Sequence, residues 1–166
     1  NGYAITATIG RREVMEAAES SFISSTFWTE RIGPTAALKT LEVMEREKSW
    51  EVITNTGHQV RLAWQTLADH HGLKIILSGL PAISSFRFDS PDMLGYKTLI
   101  TQEMLKAGYL ASNILFVCTE HSSEIVDQYV TCLDPVFGLI RKCEDGLNVE
   151  SLLNGPVCHS GFKRLN

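Results

Sequence analysis

The chain has 166 residues, about the length of one domain, and its 44% hydrophobic and 20% charged residues are ordinary for a soluble globular protein. The formal net charge of −4 argues against a nucleic-acid or anionic-membrane surface, because both need a basic face. No apolar run approaches the roughly 20 residues of a membrane span, and the first residues lack the basic and apolar regions of a signal peptide, so none is expected. We therefore expect a cytoplasmic protein with no nucleic-acid partner and no membrane partner.

The first 35 residues contain weak signals for secondary structure. Residues 3–9 alternate and are β-prone, which predicts a strand. Residues 11–20 predict a short helix. Residues 22–28 are rich in hydroxyls and are either strand or loop.

The strongest helical pattern begins at Pro34, and its apolar residues recur at helical spacing. A kink is expected near Ser49, after which the apolar stripe continues to His71. Gly72 stands where a C-cap glycine belongs.

The pattern from residue 73 onward predicts strand, strand, helix, strand and helix. The predicted ranges are, in that order, residues 73–77, 84–88, 96–107, 113–119 and 122–142, with a short helix near residues 149–153. Asp134-Pro135 is expected to kink or interrupt the last long helix. The side chains expected to face inward on that helix are Ile125, Val126, Tyr129, Leu133, Val136, Phe137 and Ile140. The order indicates a small α+β domain with helices over one face of a sheet.

The chain is thus predicted to divide into three parts. Residues 1–33 are the tail end of a different, larger domain, and residues 34–71 are a connecting helix. Residues 72–166 are the small α+β domain.

The segment from Ser24 to Pro34 places hydroxyls, a glycine and a proline at the mouth of the connecting helix. The first N–H groups of a helix are unpaired and carry a partial positive charge. This segment is therefore a natural seat for a phosphate.

The chain resembles the C-terminal portion of the class III aminotransferases. The resemblance covers nearly the whole chain, and the nearest relatives are of the glutamate-1-semialdehyde aminomutase type. It rests on Asn1-Gly2-Tyr3 before a strand and Gly10-Arg11-Arg12, on Thr29 five residues before Pro34, on Ala36-Ala37-Leu38, and on Leu105-Lys106-Ala107-Gly108-Tyr109 before the last strand. These enzymes have the α/β fold of fold-type I transferases that use pyridoxal 5′-phosphate (PLP). The resemblance implies that this chain is mainly their C-terminal α+β small domain, with the end of the large domain and the connecting helix.

The resemblance also implies which residues contact the cofactor. In the family, a lysine that forms the Schiff base with PLP lies a few residues before the step matching Asn1, so we expect no catalytic residue in this chain. A threonine in a T-x-x-x-N-P-like pattern binds the cofactor phosphate of the neighbouring subunit. Alignment on the proline gives Thr29, whereas Thr26 takes that role if the loop shifts by three residues. Gly33 stands where asparagine is usual, and its N–H is a further candidate contact.

The implied function is transfer of an amino group in a homodimer, as a transaminase or a 2,1-aminomutase. The substrates are small amino acids, amines or oxo acids, and the chain alone is expected to be inactive. Two alternatives stay open. One is a non-catalytic ligand-binding or dimerisation module, which leaves residues 3–34 without a role. The other is a catalytically dead relative whose upstream lysine is replaced.

Several other polar residues are interpreted as structural. Glu30 and Arg31 are read as a solvated pair near the helix start, with an interface role beside the cofactor as the alternative. Arg87 is assigned to surface or interface pairing, although its fork suits a substrate carboxylate. The pair His70-His71 suits the end of a helix, and metal binding needs further ligands that the spacing does not supply, so no metal site is expected.

Thiols and lysines give no catalytic signal. The cysteines at positions 118, 132, 143 and 158 form no C-x-x-C pair or cluster, so we expect reduced thiols rather than a disulfide framework. Cys158-His159 lacks an acid partner nearby in sequence. The lysines at positions 39, 97 and 106 lie in polar helical patterns, and none is expected to form the Schiff base.

Overall fold

The computed structural model describes residues 2–22, 26 and 29–161. The prediction of strand or loop for residues 22–28 therefore falls largely outside the described residues. The chain divides into two compact units, residues 1–48 and 49–166, which are described separately.

The first unit contains two helices. Helix α1 spans Arg12–Met15 and continues as a 3₁₀ turn over Glu16–Ser20, which confirms the predicted short helix. Helix α2 spans Ile32–Glu47, so it begins two residues before the predicted start. It ends at Lys48, whose left-handed φ of 48° stops the helix at the place where a kink was predicted.

The strand predicted over residues 3–9 is wrong. These residues are exposed and have no β-structure. A strand needs a neighbour to satisfy its backbone N–H and C=O groups, and no strand of the first unit's described residues lies beside them.

The second unit follows the predicted order of elements. Its elements are α3 (Ser49–His70), β1 (Ile75–Leu80), β2 (Ile83–Phe88), α4 (Met93–Lys106), β3 (Ile114–Phe116), α5 (Ser123–Glu144) and a 3₁₀ turn (Val149–Leu152). Gly72 has a φ of 62° and closes α3, since the Leu73 N–H reaches back to the Ala68 carbonyl at 2.8 Å. Because residues 71–73 form this cap, β1 begins at Ile75, two residues later than predicted.

The sheet is a three-stranded antiparallel meander in the order β1-β2-β3. Ile75 pairs with Phe88 and Leu77 pairs with Phe86, so these four side chains share one face. The two phenylalanines are buried, while Arg87 on the opposite face is exposed. The predicted alternation in β2 is therefore confirmed, and α3, α4 and α5 cover the apolar face.

Aromatic rings join the sheet to the helices. Phe86 packs on Trp64 of α3 with ring centroids 4.7 Å apart, and Phe88 packs on Tyr96 of α4 at 5.4 Å. Both phenylalanines also contact Phe137 of α5, at centroid distances of 5.9 and 5.4 Å. Burial of these large side chains is the main stabilising contribution in the second unit.

Helix α5 runs through Pro135 without interruption, so the predicted interruption is wrong, while the kink stays a prediction. The proline removes one backbone N–H, but Leu133, Val136 and Phe137 are buried on both sides of it. Tertiary packing thus outweighs the loss of one helical hydrogen bond.

Six of the seven side chains predicted to face inward on α5 are buried. The seventh, Ile125, remains 43% exposed.

The middle of α3 approaches the hairpin between β1 and β2 very closely. A Cβ added at Gly57 would lie 2.0 Å from the carbonyl oxygen of Pro81. Only glycine allows this contact, because both sides of it are backbone.

A buried hydrogen bond joins α3 to α5. The Trp64 indole N–H donates to the Tyr129 hydroxyl oxygen at 2.9 Å. Burial raises the pKa of Tyr129 from 10.0 to about 12, although the bond from Trp64 acts in the opposite direction. The folded chain therefore holds the phenol proton more tightly than the unfolded chain does.

We expect this proton to make stability depend on alkaline pH. The contribution is complete below the unfolded pKa of 10.0 and is lost as the pH rises towards the folded value of about 12. Between pH 8 and pH 11 the free energy of unfolding should fall by about 1 kcal/mol more in the wild type than in Tyr129→Phe. Urea unfolding of both proteins at the two pH values measures this difference. Equal losses in both proteins would contradict it.

Candidate functional site

The first turn of α2 is capped by a side chain of the same chain. The Glu30 carboxylate accepts hydrogen bonds from the backbone N–H groups of Ile32 and Gly33, the latter at 2.9 Å. Pro34 has no N–H, and the Thr35 N–H donates to a backbone carbonyl at 3.0 Å. The unpaired N–H groups expected at this helix mouth are therefore engaged.

Glu30 and Gly33 thus have structural functions that differ from their predicted ones. Glu30 was expected to form a solvated pair with Arg31, but its carboxylate caps the helix. Gly33 is buried, and a Cβ there would lie 3.0 Å from the Ala4 carbonyl oxygen. The glycine lets residue 4 pack against the helix start, and its N–H is not free for an external anion in this arrangement.

The two candidate threonines lie just before this cap. Thr29 and Thr26 are both exposed, whereas residues 27 and 28 between them lie outside the described part of the chain. Hydroxyl groups can donate hydrogen bonds to phosphate oxygens. Since the N–H groups of Ile32 and Gly33 are bound by Glu30, the exposed hydroxyls of Thr29 and Thr26 are the candidate donors to an anion in the described part of this segment.

An apolar cleft of about 260 Å³ lies beside the start of α2, within the first unit. Tyr3, Ile5, Ala36, Ala37 and Leu41 line it. Three of these side chains are large and exposed, as Tyr3 is 60% and Leu41 61% accessible. Exposed apolar side chains grouped in this way are typical of a surface that another protein segment covers.

A larger cleft, of about 510 Å³, lies in the second unit next to β3 and α5. Its wall includes Tyr109, Leu110, Phe116, His121 and Ile125. Leu110 is 97% exposed, and the His121 Nδ1 accepts a hydrogen bond from a backbone N–H at 3.3 Å. Sequence reasoning missed this cleft, although the Leu105–Tyr109 motif that carries the family resemblance leads directly into it.

Arg87 borders a third, smaller cleft of about 200 Å³. Phe86, Phe88 and Lys97 also line it, although the Arg87 side chain lies on the face of β2 opposite to the two phenylalanines.

Two of the excluded lysines form surface ion pairs. Lys39 contacts Glu42 and Lys106 contacts Glu103, each at 2.6 Å. Burial acts to raise the pKa of Glu103, but hydrogen bonds from Lys106 and Gln102 outweigh it and hold that pKa below its usual value. Both contacts are exposed ion pairs, which agrees with a surface function for these two lysines.

The other residues considered in the sequence analysis are the cysteines and the adjacent histidines, and they differ in what they contact. The Cys158 thiol donates a weak hydrogen bond to the Leu94 carbonyl at 3.6 Å, and all four cysteines are free thiols. His71 instead gains a partner that its spacing did not predict, because Asp134 of α5 lies 2.9 Å from its Nε2 atom.

The described residues include no helix with the length and apolarity to cross a membrane.

Three curated relatives match most of this chain. It is 28% identical over 138 residues to 2′-deamino-2′-hydroxyneamine transaminase of Streptomyces kanamyceticus, covering 80% of this chain and 35% of that protein. It is 28% identical over 150 residues to 3-aminobutyryl-CoA aminotransferase of Cloacimonas acidaminovorans, covering 86% and 36%. It is 25% identical over 146 residues to aminopentol aminotransferase of Sphingopyxis macrogoltabida, covering 86% and 34%. The chain therefore spans about a third of the length of the curated relatives it matches.

The fold matches part of a solved PLP-bound structure. The FumI protein of Sphingopyxis sp. MTA144, in its PLP internal aldimine form, superposes with a TM-score of 0.73 and 19% sequence identity, covering 87% of this chain and 36% of that one. No protein-family model matches the chain. The chain is thus similar in sequence to aminotransferases, and it has the α/β fold of a fold-type I PLP-dependent transferase, of which it makes up about a third.

Proposed function

We propose that this chain is the C-terminal part of a PLP-dependent enzyme that transfers an amino group. The observation that carries the proposal is similarity to three aminotransferases over 80–86% of the chain. The match in fold over 87% of the chain supports the same conclusion. The names of these relatives favour a transaminase, with a 2,1-aminomutase of the glutamate-1-semialdehyde type as the alternative.

The proposal assigns residues 1–33 to the end of the large domain, 34–71 to the connecting segment and 72–166 to the small domain. The Schiff-base lysine would then lie upstream of Asn1. The apolar cleft beside α2 supports a homodimer or a large domain that covers it, because its exposed side chains would be buried there. The substrates proposed are small amines, amino acids or oxo acids.

The residues before α2 fit the phosphate group of PLP through their hydroxyls. Thr29 is exposed and lies immediately before the capping residue Glu30, so its hydroxyl is accessible to a phosphate that arrives from a neighbouring subunit. When bound, PLP supplies an electron sink next to the substrate's amino carbon. Thr29 would hold the phosphate, Glu30 would keep the start of α2 in place, and Thr26 is the second candidate donor.

We predict that Thr29→Ala weakens PLP binding by about tenfold or more, because a hydrogen bond to a charged group contributes about 1.5–3 kcal/mol. Thr29→Ser should retain most of the affinity. The matched control is Thr131→Ala on α5, whose hydroxyl donates to the Asp127 carbonyl at 2.8 Å and which should bind PLP as the wild type does. The measurement is a PLP titration of the complete protein that contains this chain. Equal affinity in Thr29→Ala and the wild type would assign the phosphate to Thr26 or to other residues.

Borohydride reduction of the complete protein in the presence of PLP, followed by intact mass and peptide mapping, tests the enzyme itself. A pyridoxyl adduct mapped to a lysine outside these 166 residues would support the proposed upstream lysine. A complete protein without an adduct would favour a binding module or a catalytically dead relative. The cleft of about 510 Å³ in the second unit would then be the first place to seek a ligand.

A further inference from the structure

The end of α3 and the middle of α5 bring three metal-ligating side chains together. His70 is the last residue of α3, His71 follows it, and Asp134 lies on α5. Their ligand atoms all lie within 4.8 Å of one another. The His71 Nε2 atom is 2.9 Å from the Asp134 Oδ1 atom, although the two residues are 63 positions apart.

The backbone at this corner leaves space for the two imidazoles. Gly138 lies one turn after Asp134 on α5, and a Cβ there would lie 3.4 Å from the Cε1 atom of His71. The absent side chain gives the His71 ring its place beside Asp134. The rings of His70 and His71 meet nearly at right angles, with centroids 4.8 Å apart.

We propose that His70, His71 and Asp134 form a binding site for a divalent transition-metal ion of the Zn²⁺ type. Two imidazole nitrogens and one carboxylate oxygen are a donor set that Zn²⁺ accepts, and water completes the coordination. His70 is exposed and the other two are half-buried, so an ion can reach all three side chains from solvent.

Only a small rearrangement of the three side chains is needed for them to bind one ion. Ligand bonds of about 2.0–2.2 Å to a tetrahedral ion separate neighbouring ligand atoms by about 3.3 Å. The ion would therefore replace the direct contact between His71 and Asp134, now 2.9 Å, with a slightly longer separation. The widest pair of ligand atoms, at up to 4.8 Å, closes by rotation of the exposed His70 side chain.

The electrostatic surroundings favour a cation. Both histidines lie at the C-terminal end of a 22-residue helix, where the backbone carbonyls give a partial negative charge. The nearby Arg141 guanidinium donates to the Gly72 carbonyl at 3.2 Å. Its own positive charge is balanced by Asp145 at 2.6 Å.

The test is a Zn²⁺ titration of the wild type and three variants, with a chromophoric chelator as competitor. His70→Ala removes an exposed ligand, and Asp134→Asn keeps an oxygen acceptor for His71 while removing the negative charge. Both should weaken Zn²⁺ binding by tenfold or more, because even loss of an outer partner of a metal ligand costs about 10–100-fold. The control is His58→Ala, an exposed histidine on the same helix, which should bind Zn²⁺ as the wild type does.

A second readout identifies the ligands directly. In ¹⁵N-histidine NMR spectra, Zn²⁺ should shift the ring nitrogens of His70 and His71 and leave those of His58 unchanged. The proposal is overturned if the wild type binds no Zn²⁺, or if His70→Ala and Asp134→Asn bind it as tightly as the wild type. The latter result would show that the ion binds at another place on the chain.

Discussion

Replacing Trp64 by alanine is expected to lower the free energy of unfolding of the second unit by about 3–5 kcal/mol. Trp64 has no exposed surface and packs on Phe86 with ring centroids 4.7 Å apart. The substitution leaves a cavity between α3 and the sheet, and it also removes the donor that the buried Tyr129 hydroxyl uses. Since domains are typically stable by about 5–15 kcal/mol, little stability would remain.

The matched control is Trp50→Ala on the same helix. Trp50 is 46% exposed, so its loss should cost less than about 1 kcal/mol. Urea unfolding followed by far-UV circular dichroism measures both variants without relying on the fluorescence of the replaced residue. Equal losses in the two variants would mean that the contacts of Trp64 do not determine the stability of this unit.

Replacing Gly57 by alanine should destabilise the second unit by about 1–2 kcal/mol, despite adding a single methyl group. The new Cβ would lie 2.0 Å from the Pro81 carbonyl oxygen, and a backbone atom cannot swing away as a flexible side chain can. The helix and the hairpin must therefore separate, which costs about 1–3 kcal/mol and sometimes more. The higher helix propensity of alanine offsets at most about 1 kcal/mol of that cost.

Gly155→Ala is the control for this second substitution. A Cβ at Gly155 meets nothing within 4 Å, so the free energy of unfolding of Gly155→Ala should stay within about 0.5 kcal/mol of the wild-type value. Hydrogen exchange adds local information, because amides of β1 and β2 should exchange faster in Gly57→Ala. Wild-type stability in Gly57→Ala would contradict the close packing of α3 on the hairpin.

The elements of the second unit could be predicted because their signals are local. Gly72 and Gly108 both adopt positive φ at helix ends, as their positions after apolar stripes indicate. The alternation in β2 likewise follows from neighbouring residues. Neighbouring residues alone could not decide whether residues 3–9 form a strand, since a strand forms only beside a partner strand. Pro135 was misjudged because its local cost is outweighed by core contacts from distant residues.

In the candidate sites, too, contacts between residues close in sequence could be predicted, whereas contacts between distant residues could not. The Glu30 cap lies within three residues of the N–H groups it binds, so a carboxylate two residues before Ile32 was a signal that could have been used. The contact between His71 and Asp134 spans 63 positions and depends on how α5 crosses the end of α3. No spacing rule predicts such a contact.

The Glu30 cap also determines how the start of α2 discriminates among anions. The carboxylate is an intramolecular competitor, and a ligand tethered by so short a loop has an effective concentration of about millimolar or higher. A free inorganic anion of similar affinity must exceed that level to displace it from the N–H groups of Ile32 and Gly33. The cap therefore disfavours free anions relative to a ligand that other contacts already hold in place.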